Sequence, residues 1–132
     1  MMTEFFMAMI PPTITDQEKK MGVTKAGKPY PYKQQELLEA RSKLSAHLGQ
    51  HVPEKMYTSG VRLMVKWLFP IKGKHTNGEY KTSKPDTDNL QKMLKDCMTE
   101  VGIWKDDALV ASEIIEKFWA DTPGIYIKVV EL

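Results

Sequence analysis

The chain has a single cysteine, Cys97, among 132 residues, so no internal disulfide can form and a reducing, cytoplasmic setting is expected. No apolar run approaches the roughly 20 residues that a membrane-spanning helix needs. Met1 to Ile10 is apolar, yet no basic segment precedes it and no small-residue cleavage site follows. It reads as an N-terminal strand ended by Pro11-Pro12 rather than as a secretory leader. Charge of one sign is not in excess, since the formal net charge is +2, which favours no class of partner. The three histidines, His47, His51 and His75, have no metal-ligand spacing, so neither His nor Cys chemistry is supported. There is no internal repeat. What remains, with 42% hydrophobic and 27% charged residues, is one compact domain over residues 1–132, long enough to bury a core.

The lysines, though balanced overall, are clustered. Lys19, Lys20, Lys25, Lys28 and Lys33 share one stretch whose acids are Asp16 and Glu18. Lys72, Lys74, Lys81 and Lys84, with His75, share another in which Glu79 is the only acid. Such clusters are either solvated loop lysines or tracks for a polyanionic backbone.

Hydrophobic periodicity sets the element order. Residues 13–32, rich in Lys, Gly, Pro and Tyr, read as a loop or loose hairpin around Lys25-Ala-Gly-Lys28. Leu37, Leu38, Ala40, Arg41, Leu44 and Leu48 recur near a 3.6-residue period, which predicts a helix from Lys33 to His47 ended by Gly49. Val61, Leu63, Val65 and Trp67 alternate with Arg62, Met64, Lys66 and Leu68, a strand over 60–69 closed by Pro70. Residues 70–85 form a long polar loop with Asn77-Gly78 at its tip, and loops of that length are functional or disordered. Leu90, Met93, Leu94, Cys97 and Val101 make one apolar stripe on a second helix. Asp88, with Gln91 three residues on, marks its start at capping-box spacing, and Gly102 ends it. Strands over 108–119 and 124–131, joined at Asp121-Thr-Pro-Gly124, finish the chain. The expected fold is α+β, a mixed sheet with two main helices on one face.

The residues with chemistry to offer lie around the second helix. Asp86 and Asp88 sit at its mouth; if 86–88 is extended, their carboxylates point the same way, whereas on a helix they diverge by about 200°. Lys92 is one turn further on the same face as Asp88, within reach of a phosphate bound there. Asp106-Asp107 precedes the next strand, and topology alone does not bring it beside the other two. Converging aspartates with a lysine suit Mg²⁺-assisted phosphodiester hydrolysis, because hard cations take oxygen ligands and activate bound water. Plainer readings exist for each. Asp88 serves as an N-cap, Lys92 as its i+4 partner, Asp106-Asp107 as a solvated turn and Asp96 as a surface residue. A calcium loop is excluded, because Leu90 falls where a ligand is needed.

The pattern Asp86-x-Asp88-Asn89-Leu90-x-Lys92, then Asp96, then Trp104-x-Asp106-Asp107-Ala108, resembles the RusA family of Holliday junction resolvases. The Lys84-Pro85 lead-in is also common in relatives. The resemblance implies an endodeoxyribonuclease that cuts branched DNA. Its catalytic residues would be Asp86, Asp88, Lys92 and Asp107, with the three aspartates holding Mg²⁺ and Asp107 folded back beside the other two. Lys72, Lys74, Lys81 and Lys84 would contact DNA. It further implies a homodimer. Two readings are open for the terminal strands and the Met-rich N-terminus (Met1, Met2, Met7, Met9): the dimer surface or core packing. The chain departs from many relatives at Leu109, where they carry Gln, and in having lysines rather than arginines before Asp86. The alternatives are a binding protein of the same fold without cleavage, and a nuclease acting on flaps, forks or RNA.

Overall fold

A computed structural model of the chain describes residues 1–15, 21–23, 29–31 and 34–132. Its elements are β1 (Met2–Met7), β2 (Met21–Val23), β3 (Pro29–Pro31), α1 (Gln34–Leu48), β4 (Val61–Pro70), α2 (Thr87–Glu100), β5 (Val110–Ala120) and β6 (Gly124–Glu131), with 3₁₀ turns at Gly49–His51 and Asp107–Leu109. Four strands form one mixed sheet in the order β1-β6-β4-β5, so the expected α+β class with a mixed sheet and two helices holds. β2 and β3 pair antiparallel as the loose hairpin, although its expected tip at residues 25–28 and the lysines 19, 20, 25, 28 and 33 lie outside the described residues.

The period-2 pattern of β4 translates directly into packing. Val61, Leu63, Val65, Trp67 and Phe69 are buried against the helices, while Arg62, Met64, Lys66 and Leu68 face the other side and are exposed or half-buried. Ile125, Ile127 and Val129 of β6 share the buried face, as do Leu90, Met93, Leu94, Cys97 and Met98 of α2. In α1, Leu37, Leu44 and Leu48 turn inward, but Leu38 is 53% exposed, so the inward stripe is narrower than its sequence pattern. The N-terminal methionines divide: Met7 and Met9 belong to the core, Met1 and Met2 are exposed. No helix among the described residues is long and apolar enough to cross a membrane.

β4 and β5 run parallel, so the chain between them must cross over the sheet, and α2 is that crossover. Its end is a Schellman turn: Ile103 N–H donates to Met98 O at 3.1 Å, Gly102 N–H to Thr99 O at 3.1 Å, with Gly102 at φ +88°. Residues 78–81 of the polar loop lie beside the end of β5. Gly78 N–H donates to Trp119 O, Trp119 N–H to Glu79 O, and Lys81 N–H to Lys117 O, at 2.8 to 2.9 Å. The loop thus caps the sheet edge instead of standing free.

Two consequences can be measured. A Cβ on Gly124 would lie 2.8 Å from Met7 O and 2.0 Å from Phe6 Cζ, so the β1–β6 crossing tolerates no side chain there. Gly124→Ala is expected to destabilise the fold by about 1–3 kcal/mol in urea unfolding. Cys97 is fully buried and burial pushes its thiol pKa up, so alkylation of the native chain should be far slower than of the urea-unfolded chain.

Candidate active site

The mouth of α2 is built differently from the sequence expectation. Asp86, not Asp88, is the N-cap: its backbone is extended at φ −73°, ψ 146°, and the helix begins at Thr87. Asp88 is already in the first helical turn. The alternation that would aim both carboxylates the same way therefore does not operate, because only one of the two residues is extended. Asp86 makes no side-chain capping bond, and its carboxylate is exposed.

One cleft gathers much of the expected chemistry. It follows a face of α2 through Asp88, Gln91, Lys92, Lys95 and Asp96, and Asp107, Glu113 and Ile115 close its other wall. Asp88, Lys92 and Asp107 thus share a cleft, while Asp86 is outside its lining. Asp86 lies instead in the field of Lys117, further along β5, whose proton affinity burial lowers and Asp86 raises. The Lys117 ammonium donates to the carbonyls of Ser83 and Pro85, each at 2.7 Å, and so holds the segment that leads into Asp86. Among the described residues, no three His, Cys, Asp or Glu side chains stand together as a closed metal cage.

Neighbouring ion pairs sort the remaining charges. Lys95 pairs with Glu113 at 3.3 Å, and Asp96 with Arg41 at 3.6 Å. Lys92 is exposed and has no partner among the described residues, so its ammonium is available to a phosphate. Asp106 accepts from Ala108 N–H at 2.8 Å and caps the 3₁₀ turn, which occupies its carboxylate; Asp107, next to it, is left facing the cleft.

The aromatic of the second motif has a structural reason. Trp104 is buried, and its indole N–H donates to Thr99 Oγ1 at 2.7 Å. Lys105 N–H donates to Tyr57 O and Tyr57 N–H to Ile103 O, both at 3.0 Å. This staple fixes the chain just before Asp106-Asp107.

Sequence reasoning missed Gln91. It is 2% exposed, its Oε1 accepts from Trp67 Nε1 at 3.2 Å, and its Nε2 has no acceptor among the described residues while the side chain lines the cleft. The Trp67 donor decides which end of the amide faces which way. A polar residue directly beside the apolar stripe was the available signal. Lys117 and Glu113 were legible too, since they share strand parity with buried Trp119 and so face the helix side. Of the lysines expected at DNA, Lys72, Lys74 and Lys84 are exposed, but Lys81 is turned inward, 8% exposed, donating to Ser83 Oγ and Lys84 O at 2.6 Å each.

The donor chemistry of the cleft fits a hard divalent cation. Mg²⁺ is ordinarily held by one or two carboxylates, with waters and substrate phosphate completing its shell. Asp88 and Asp107 supply two carboxylates to one cleft whose lining, among the described residues, holds no sulfur or imidazole.

Comparison with known proteins agrees with this reading of the motifs. The family model described as Endodeoxyribonuclease RusA matches residues 10–130. A crossover junction endodeoxyribonuclease rusA of Lactococcus phage r1t is 32% identical over 91 residues, covering 67% of this chain and 70% of that protein. An uncharacterized protein, YqaN, of Bacillus subtilis (strain 168) is 31% identical over 95 residues, covering 64% of this chain and 66% of that protein. A match over nearly the whole length, with the aspartates and lysine of both motifs lying within it, establishes that the chain belongs to the RusA family of endodeoxyribonucleases.

Proposed function

We propose that the chain is a Mg²⁺-dependent endodeoxyribonuclease that resolves four-way DNA junctions by paired symmetric nicks, acting as a homodimer. The observation that carries this reading is that Asp107, from the turn before β5, lines one cleft with Asp88 and Lys92 of α2. Asp88 and Asp107 would hold the metal from the cleft, and Asp86, with no capping bond to keep it, would join them from the helix mouth. A bound Mg²⁺ supplies an activated water and neutralises charge on the phosphate. Lys92 contributes a mobile ammonium that offsets charge developing on the phosphate oxygens. Gln91, held by Trp67, offers its free amide N–H to a phosphate oxygen.

The homodimer follows from the reaction's symmetry. Two nicks related by a two-fold axis call for two identical sites so related, which a C₂ dimer provides. Exposed Met2 and Phe6 on edge strand β1, and exposed Ile114 on the open face, are among the exposed apolar side chains that would meet a partner copy.

These outcomes are expected. Asp88→Asn should abolish junction cutting while junction binding persists, because losing a carboxylate removes repulsion toward phosphate; normal cutting by this variant would end the site assignment. Lys92→Ala should cut more than about tenfold more slowly, a barrier change of some 1.4 kcal/mol. Asp107→Asn should lose cleavage, whereas Asp106→Asn should mainly lower stability, by about 1 kcal/mol, through its cap. A panel of labelled four-way junctions, forks, flaps, duplexes and RNA hairpins, with Mg²⁺ or with EDTA, separates junction resolution from the other nuclease readings, and light scattering should give twice the 15.1 kDa chain mass.

A further inference from the structure

The three tryptophans are all buried, and two have satisfied indole N–H groups: Trp67 donates to Gln91 and Trp104 to Thr99. Trp119, 7% exposed, is the exception, since its Nε1 has no acceptor among the described residues. An orphaned buried donor points to a missing acceptor.

Trp119 lines a pocket of about 150 Å³ together with Thr13, Phe69, Lys72, Lys81 and Lys84. The polar side chains there are donors: three ammonium groups, an indole and a hydroxyl, with no acid among the described residues that line it. Lys81 uses two of its three N–H groups on Ser83 and Lys84. Burial lowers its proton affinity, and the positive charges of Lys117 and Lys72 lower it further, so the charge around it is not compensated by an acid among the described residues that line the pocket. Glu79, the acid of this loop, is paired with His75 instead. The pocket's contents are therefore expected to be anionic.

Size and shape narrow the anion. The volume lies below the roughly 300–1,000 Å³ of pockets that take whole small molecules. The aromatic surface is already used, because His75 stacks on Trp119 at 4.4 Å and Lys81 Nζ sits 4.6 Å from its ring centroid. With that ring engaged, the pocket's donors, the Lys72, Lys81 and Lys84 ammonium groups and the indole N–H that Trp119 leaves unpaired, suit a phosphate oxygen better than a base.

We infer that this pocket binds one phosphate group, a non-scissile phosphodiester of the DNA strand that enters the active-site cleft. The DNA source rests on the endodeoxyribonuclease reading; the anion chemistry does not. On β5, Trp119 of the pocket lies four residues beyond Ile115 of the cleft, about 13 Å along the strand. That is a few phosphate steps along a DNA strand, about 3.4 Å of helix axis each. The pocket thus grips the strand beside the cleft and sets which phosphate reaches Asp88 and Lys92.

The test uses the full chain, ¹⁵N-labelled, titrated with sodium phosphate against sodium chloride at matched ionic strength. Of the indole N–H resonances, that of Trp119, identified by its loss in Trp119→Phe, should shift saturably with phosphate. Lys84→Gln, an exposed change that spares the fold, should weaken this by about tenfold, as expected for one charge-assisted contact. An indole signal that stays still, or three that move together, overturns the pocket, even if the chain cuts junctions normally with Mg²⁺. In an Asp88→Asn background, Lys84→Gln should lower junction affinity and reduce the slope of log affinity against log salt by about one. A Trp119 shift with unchanged junction affinity and slope would overturn the DNA assignment and leave a free-phosphate site. A Trp119 shift in a chain that neither binds nor cuts DNA would refute the nuclease reading and support the pocket alone.

Discussion

The parallel pairing of β4 with β5 is the constraint on which the site depends. Parallel neighbours cannot be joined by a tight turn, so a crossover element must leave the end of one strand and return to the start of the next. Here that element is α2, whose stripe of Leu90, Met93, Leu94 and Cys97 seals it onto the sheet. Once sealed, its polar face must run alongside the beginning of β5. The cleft between Asp88, Lys92 and Asp107 is the seam left by that packing.

The same geometry explains the division of labour among the acids. Asp106 and Asp107 are adjacent and chemically equal, yet one carboxylate is bonded to Ala108 N–H and the other faces the seam. The turn is held from behind by buried Trp104 and by the exchange of backbone bonds with Tyr57. At the other end, Lys117 grips the carbonyls of Ser83 and Pro85, so a lysine from the strand aligns the segment that delivers Asp86. Both anchors use groups that sequence patterning assigns no chemistry.

Three buried polar atoms have no partner among the described residues, Thr15 Oγ1, Gln91 Nε2 and Trp119 Nε1, and the last two belong to side chains that border a concavity, the cleft and the lysine pocket. In a core this well packed, such groups are unfavourable unless a ligand completes them. Lysines accompany the Gln91 and Trp119 donors, Lys92 and Lys95 at the cleft and Lys72, Lys81 and Lys84 at the pocket. This suits a protein that must hold a strand as well as cut it.

Much of this was legible from residue order alone. The period-2 run in β4, the stripe on α2 and the glycine after it fixed element type and inward face, because burial periodicity is a local property of the backbone. The two motifs, with their spacing, pointed to the family and singled out four candidate catalytic residues, of which Asp88, Lys92 and Asp107 line one cleft and Asp86 does not. Local patterning misjudged what depends on partners distant in the chain. Asp86 rather than Asp88 became the cap, Leu38 was left outside the core, and Lys81 turned inward because Ser83, Lys84 and the Phe69 and Trp119 rings receive its ammonium. Whether Asp107 would share a cleft with Asp88 was decided only by strand pairing, since the hydrogen-bond register between β4 and β5 is set by residues more than 40 positions apart. Periodicity records which face is apolar, while proximity between faces exists only after the chain has closed on itself.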